Sequence, residues 1–248
     1  MQMTLGIFPC GKWLHKKNQI ASGKCNMCRQ ALEERATNSG NISEENVPDQ
    51  TIGHISSAGC LGQRAVVTAA HDNCFDALMA DVIKHVGKES SRVFTTLDTE
   101  MTLSTLWDHE GLEAVCSKED LWQEACEVER SIPLKETIEN EMDREEEYKR
   151  RFWARRPDGI VVDEKKETCY VLEFKRKMDR WMGYREEATD KATNQYASLM
   201  HGLQGASKWT VHLVIIVGGM CGSVHTETFN KNMELLGVIE SKRNEVRR

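Results

Sequence analysis

The sequence predicts an α/β protein in which a helix, a strand hairpin, a second helix, a strand and a final helix follow one another, behind a helical, cysteine-bearing N-terminal region. Three observations carry this expectation. Residues 159–163 (G-I-V-V-D) and 168–175 (T-C-Y-V-L-E-F-K) are β-branched and aromatic runs separated by the charged tetrapeptide 164–167, which reads as a turn between two strands. Residues 209–217 (W-T-V-H-L-V-I-I-V) are almost continuously apolar, the pattern of a central strand buried on both faces. The stretches flanking these runs show helical periodicity with cap signals at their ends.

The 248 residues, 40% hydrophobic and 29% charged, allow one large domain or a domain with a smaller appendage. The run 211–217 is far too short to span a bilayer, and residues 1–8 lack the basic start and apolar stretch of a signal peptide, so an intracellular protein with no membrane partner is expected. Nine cysteines without framework spacing point to reduced thiols and a metal site rather than disulfides. The net charge of −6 excludes a simple DNA-coating protein, but it is unevenly distributed. Residues 97–148 hold 17 acids against 4 bases, whereas residues 149–185 hold 12 bases against 6 acids.

Taken in order, residues 4–22 read as a short amphipathic helix carrying Trp13 and Leu14. It leads into Gly23-Lys24-Cys25-Asn26-Met27-Cys28, where a C-x₂-C in a glycine-led turn is half of a structural zinc site. The other half is sought among His54 and Cys60, with His71 and Cys74 behind them; the polar stretch 29–50 between reads as an exposed insertion. Residues 65–85 form an apolar-striped helix, and 89–103 a mixed, partly extended connector. Ser117 with Asp120 opens a helix through Arg130. Ser131 and Pro133 are expected to open a longer helix running to about Phe152. Residues 184–200 make a helix stopped by Gly202 and Gly205, and 227–236 a last helix ending at Gly237, before a basic tail. The domain division that follows is 1–88, 89–130 as a helical connector, and 131–248.

A turn centred between Lys165 and Lys166 places Asp158 opposite Glu173, with Cβ atoms about 5 Å apart. Alternation puts Glu173 and Lys175 on one face and Tyr170, Leu172 and Phe174 on the other. Two carboxylates this close repel unless a divalent cation lies between them, and hard oxygen ligands suit Mg²⁺ or Mn²⁺. The neighbouring Lys175 can orient water or neutralise charge on a phosphate. The plainer alternative is an ordinary turn at Pro157-Asp158 and an exposed Glu173–Lys175 ion pair. The bases around this hairpin, Arg151, Arg155, Arg156 and Lys177, suit a nucleic-acid backbone, unless they pair with the acidic helices nearby.

Pro157-Asp158 followed by Glu173-Phe174-Lys175 resembles the PD-(D/E)xK motif of the restriction-endonuclease-like nuclease superfamily. Within it, R-P-D-G-I-V-V-D followed by L-E-F-K is similar to the endonuclease domain at the C-terminal end of site-specific non-LTR retrotransposon polyproteins, over residues 133–248. The resemblance implies a restriction-endonuclease-like core and a Mg²⁺- or Mn²⁺-dependent DNA endonuclease, with Asp158 and Glu173 holding the metal and Lys175 assisting the attacking water. Hydrolysis would leave a 5′-phosphate and a 3′-hydroxyl. It also implies that Tyr184, Lys191 and Gln195 on the following helix support the site or touch phosphate, with Glu141 or Glu145 as further candidate acids. The family's zinc knuckle maps onto Cys25, Cys28, His54 and Cys60. The implied partners are DNA and the RNA of a parent retroelement, and the implied location is nuclear. The alternative of another class is a catalytically inactive, zinc-containing nucleic-acid-binding module.

Overall fold

The computed structural model describes residues 24–35, 44–49, 60, 64–85, 91–95, 101–108, 110–134, 138–177, 183–219 and 224–238. Their secondary structure is a mixed α/β arrangement: α1 (Asn26–Arg35), α2 (Arg64–His85), β1 (Ser91–Thr95), α3 (Leu103–Leu106), α4 (Glu110–Glu113), α5 (Lys118–Ser131), α6 (Glu141–Trp153), β2 (Gly159–Asp163), β3 (Thr168–Lys177), α7 (Tyr184–Ala206), β4 (Thr210–Gly219) and α8 (Thr226–Leu235). None of the helices among the described residues is long and apolar enough to cross a membrane. The expected helix over residues 4–22 lies outside the described residues.

The strands form one sheet in the order β1-β2-β3-β4. The β2–β3 hairpin has the register set by its turn: Gly159 faces Leu172 and Asp163 faces Thr168. The turn closes with Glu167 at a φ of 49° and with Lys166 N donating to Asp163 Oδ1 at 3.2 Å. β4 runs parallel to β3, from Thr210 beside Thr168 to Gly219 beside Lys177, with the long helix α7 as the crossover that a parallel pair requires. β1 pairs antiparallel with β2, so the stretch read as a connector supplies a strand.

Alternation splits the sheet into two faces. Ile160, Val162, Cys169 and Val171 pack with Leu103, Trp107, Leu121, Phe152 and the α7 residues Tyr196, Leu199 and Leu203. Val161, Tyr170, Leu172, Val214 and Ile216 pack with Phe75, Met79 and Val82 of α2 and Phe229 and Met233 of α8. Helices therefore cover both faces. Residues 89–130 belong to the same core as residues 131–248, and α2, expected in the N-terminal region, covers the second face.

Three expectations about elements are corrected. The helix expected over residues 131–152 does not exist as one piece: α5 ends at Ser131, Ile132 is extended (φ −86°, ψ 119°), and α6 starts at Glu141 behind Asn140, whose side chain accepts from Met142 N. Pro133 disfavours helical backbone at the residue before it. α7 runs through Gly202 and Gly205 rather than stopping at them. Gly202 is a close-approach position, where a Cβ would lie 2.8 Å from both the Ala125 Cβ and the Leu121 carbonyl oxygen of α5. Among the described residues β4 is an edge strand rather than a central one; Thr210 is exposed and residues 211–213 are only half buried.

Candidate active site and metal centre

At the foot of the hairpin, β3 outruns β2. The β2–β3 ladder ends at Gly159–Leu172, while Glu173, Phe174 and Lys175 continue beside Ile215, Ile216 and Val217 of β4. Asp158 takes over the missing ladder position with its side chain: Oδ2 accepts from Phe174 N at 2.6 Å. That bond fixes the carboxylate against β3 at the level of Glu173. Phe174 turns to the opposite face, where its ring centroid lies 6.5 Å from that of Phe75. Glu173 and Lys175 share the α7 side, and the Lys175 ammonium is ion-paired with the Glu173 carboxylate. Asp158 is thus tied to the backbone of the residue after Glu173, and Glu173 carries the ion pair of the plainer alternative, although it is only 4% exposed.

Sequence reasoning missed one member of this cluster. Tyr196 lies on the buried stripe of α7, but its hydroxyl sits 2.7 Å from Glu173 Oε2 and 2.9 Å from the Arg156 carbonyl oxygen, both acceptors, and receives the Gln195 side-chain amide at 3.0 Å. Burial and the negative charge of Glu173 both push the Tyr196 pKa up. The phenol therefore stays protonated and acts as a donor toward Glu173.

The basic candidates divide into two groups. Arg155 Nη2 and Arg151 Nε each donate to the carboxylate of Glu129 at 2.6 Å, and Ser198 Oγ joins them at 2.6 Å. Glu129 has no exposed surface. Burial alone would raise its pKa, but the hydrogen bonds from Ser198, Arg155 and Arg151 and the charge of Arg155 together hold it below the usual carboxylate range. Arg151 also caps the C-terminus of α5 through the carbonyls of Glu129, Ile132 and Pro133 at 2.8, 3.1 and 2.9 Å. Arg155 Nε donates to the Gln195 carbonyl at 2.8 Å. Arg151 and Arg155 are consequently structural partners of an acidic helix, the pairing named as the alternative to meeting DNA phosphates. Glu129 gave a signal that could have been read: with Leu121 and Ala125 it completes an i, i+4, i+8 stripe, an acid on the buried face.

Of the other candidates, Arg156 is exposed. Lys191 is exposed and ion-paired with Glu187 one turn earlier. Tyr184 is buried, with the guanidinium of Arg185 4.8 Å from its ring centroid. Gln195 supports the site through Tyr196. The backbone of Lys177 closes β3 beside Gly219. Glu145 is committed to Arg130 at 2.7 Å, and Glu141 lies on an exposed face, so both belong to a charged helix surface.

The cysteine cluster forms a second site. Cys25 and Cys28 flank the start of α1, and their thiols meet that of Cys60, with all three sulfurs within 4.8 Å of one another. Cys60 Sγ is 3.8 Å from both Cys25 Sγ and Cys28 Sγ. Tetrahedral zinc with Zn–S bonds of ~2.3 Å separates its sulfurs by roughly 3.8 Å, so the spacing is compatible with zinc. Lys24 and Asp49 clamp the base of this segment by a β-bridge and a 3.3 Å ion pair, and Cys25 N donates to the Pro48 carbonyl at 2.9 Å. Burial, then hydrogen bonds with Cys28 and Cys25, push the Cys60 thiol up to about 11. His54, the expected fourth ligand, lies outside the described residues. Cys74 is exposed on α2 and is not part of the cluster.

Comparison with family models, with curated proteins and with solved structures returns no match to this chain.

Proposed function

We propose that the chain is a divalent-metal-dependent endonuclease that hydrolyses DNA phosphodiester bonds, built on a restriction-endonuclease-like core and derived from a retroelement. The observation that carries this reading is the foot of the hairpin. The Asp158 carboxylate is pinned to β3 by Phe174 N–H, and Glu173 is held between Lys175 and Tyr196. The order α6, β2–β3, α7, β4, α8 supports the core assignment. The donor set suits Mg²⁺ or Mn²⁺, since two carboxylates supply hard oxygens. Asp158 and Glu173 would hold the ion, which when bound supplies charge stabilisation at the phosphate and a more acidic water. Lys175 orients that water or neutralises a phosphate oxygen, and the Tyr196 hydroxyl keeps Glu173 in place.

The same contacts favour a second reading. Glu173 is already satisfied by a cation and a hydroxyl, as in a module that keeps the fold and only binds nucleic acid. Nicking of supercoiled plasmid with and without Mg²⁺ separates the two. The endonuclease reading expects nicking that requires the metal and drops by at least about a hundredfold in Asp158→Ala. Equal nicking by the two proteins would sink it, and an absence of nicking by the wild type would leave the binding module.

A further inference from the structure

Beside the hairpin, along the outer edge of β4, lies a cavity of about 320 Å³, within the size range of ligand sites. Its place follows from register. Ile215 and Val217 are the parallel partners of Glu173 and Lys175, so they stand on the same face one strand spacing away, about 4.8 Å, and both line the cavity. With Phe229 they give it an apolar floor. The Asn232 side chain donates to the Ile215 carbonyl at 2.7 Å, satisfying part of the strand edge that would otherwise bind water there.

The walls carry two kinds of polar group. Arg185 from the start of α7 is a donor and Glu186 and Asp190 are acceptors, while the Thr228 hydroxyl is already paired with His225 Nδ1 at 2.8 Å. Arg185 Nε is buried with no hydrogen-bond partner among the described residues. A buried N–H left unpaired is costly, and an acceptor on a ligand relieves it. The two carboxylates disfavour a phosphate in the cavity itself. A flat apolar body with both donors and acceptors on its edge meets all of these conditions, and a nucleobase is such a body.

We propose that this cavity receives one unpaired base of the nucleic-acid strand cut at the hairpin. The inference rests on the endonuclease reading for the identity of the strand. It adds the substrate class: DNA with an unpaired nucleotide next to the scissile phosphate, because a base still paired and stacked in a duplex cannot enter a cavity.

The test uses the full chain without added divalent metal and two duplexes that differ only in whether a 2-aminopurine is unpaired or paired with thymine. The unpaired form should bind about tenfold tighter, with a saturable change in 2-aminopurine fluorescence. Thr189→Trp, which fills the cavity from an exposed wall position, should remove that preference while leaving affinity for the paired duplex unchanged, and Arg185→Ala should remove the preference as well. Equal affinities, an unresponsive fluorophore, or a preference that survives Thr189→Trp would overturn the proposal. Plasmid nicking by the same wild-type preparation keeps the two readings apart. Loss of nicking with the base preference intact counts against the endonuclease alone, and nicking without the preference counts against the cavity alone.

Discussion

Glu129 offers the sharpest test of how the helices are held. Its carboxylate is fully buried and accepts from Arg155, Arg151 and Ser198 at 2.6 Å each. The Arg155 side chain is only 10% exposed, so Glu129→Ala leaves a guanidinium with little access to water and no counter-charge. Breaking a buried pair by removing one partner costs about 3–5 kcal/mol. For a chain of this size each kcal/mol lowers the melting temperature by roughly 2–4 °C, so the expected drop is roughly 6–20 °C. Glu129→Gln keeps an acceptor but loses the charge, and should fall between the wild type and Glu129→Ala.

The pH dependence has a definite sign. The folded Glu129 pKa is depressed, so its contribution is present above the ordinary glutamate value of about 4.3 and is lost as pH falls through the lower folded value. The melting gap between wild type and Glu129→Gln should therefore hold from pH 7 to about 5 and close below about 4. Melts of the three proteins followed by circular dichroism across that range measure both effects. A Glu129→Ala protein melting within about 2 °C of the wild type at pH 7 would refute the assignment of this network to stability.

Two further outcomes are expected. Gly202→Ala inserts a methyl group 2.8 Å from the Leu121 carbonyl oxygen and the Ala125 Cβ, and it should cost about 1–3 kcal/mol by denaturant titration as α5 and α7 are forced apart; an unchanged midpoint would show that the helices give way freely. Elemental analysis should find about one zinc per chain, absent in Cys60→Ala, and loss of the ion should make the N-terminal segment more sensitive to proteolysis, because the three cysteines themselves form its buried cluster among the described residues; a zinc-free protein equally resistant to protease would contradict this.

The hairpin was legible because its signals are local. A charged tetrapeptide fixes the turn, the turn fixes the register, and the register fixes which acid faces which. What was not legible depends on partners distant in sequence. Glu129 looks like one more acid on an acidic helix until arginines 22 and 26 residues later meet it. Those arginines look like DNA ligands until the acid is placed. Gly202 carries the composition of a helix stop and is instead the contact point of two helices. Residues 209–217 are apolar enough for a central strand, yet β4 lies at the sheet edge, where Asn232 and the Gly218–Val224 bridge take up its outer side. β1 hid in a mixed stretch, where the pairing of Ser91–Thr95 with β2 is not visible from local sequence. Cys25 and Cys28 announced themselves by spacing, and Cys60, which the residues alone left open beside Cys74, was picked out by the family resemblance and lies with them in the fold.

The two buried polar groups join at α7. Arg155 links Glu129 to the backbone of Gln195, the Gln195 side chain donates to the Tyr196 hydroxyl, and that hydroxyl reaches Glu173. Glu173 thus has its orientation set from behind by a helix whose own seat is fixed through Glu129, in addition to the Lys175 contact in front. An acid needed in one orientation is best held by groups whose rotamers are themselves locked by packing and further hydrogen bonds, and Tyr196 is fully buried. The positive charge of residues 149–185 is consequently spent in two ways. Arg151 and Arg155 neutralise an acid inside the fold, and the charge left facing solvent near the hairpin is on residues such as Arg156 and the partly exposed Lys175.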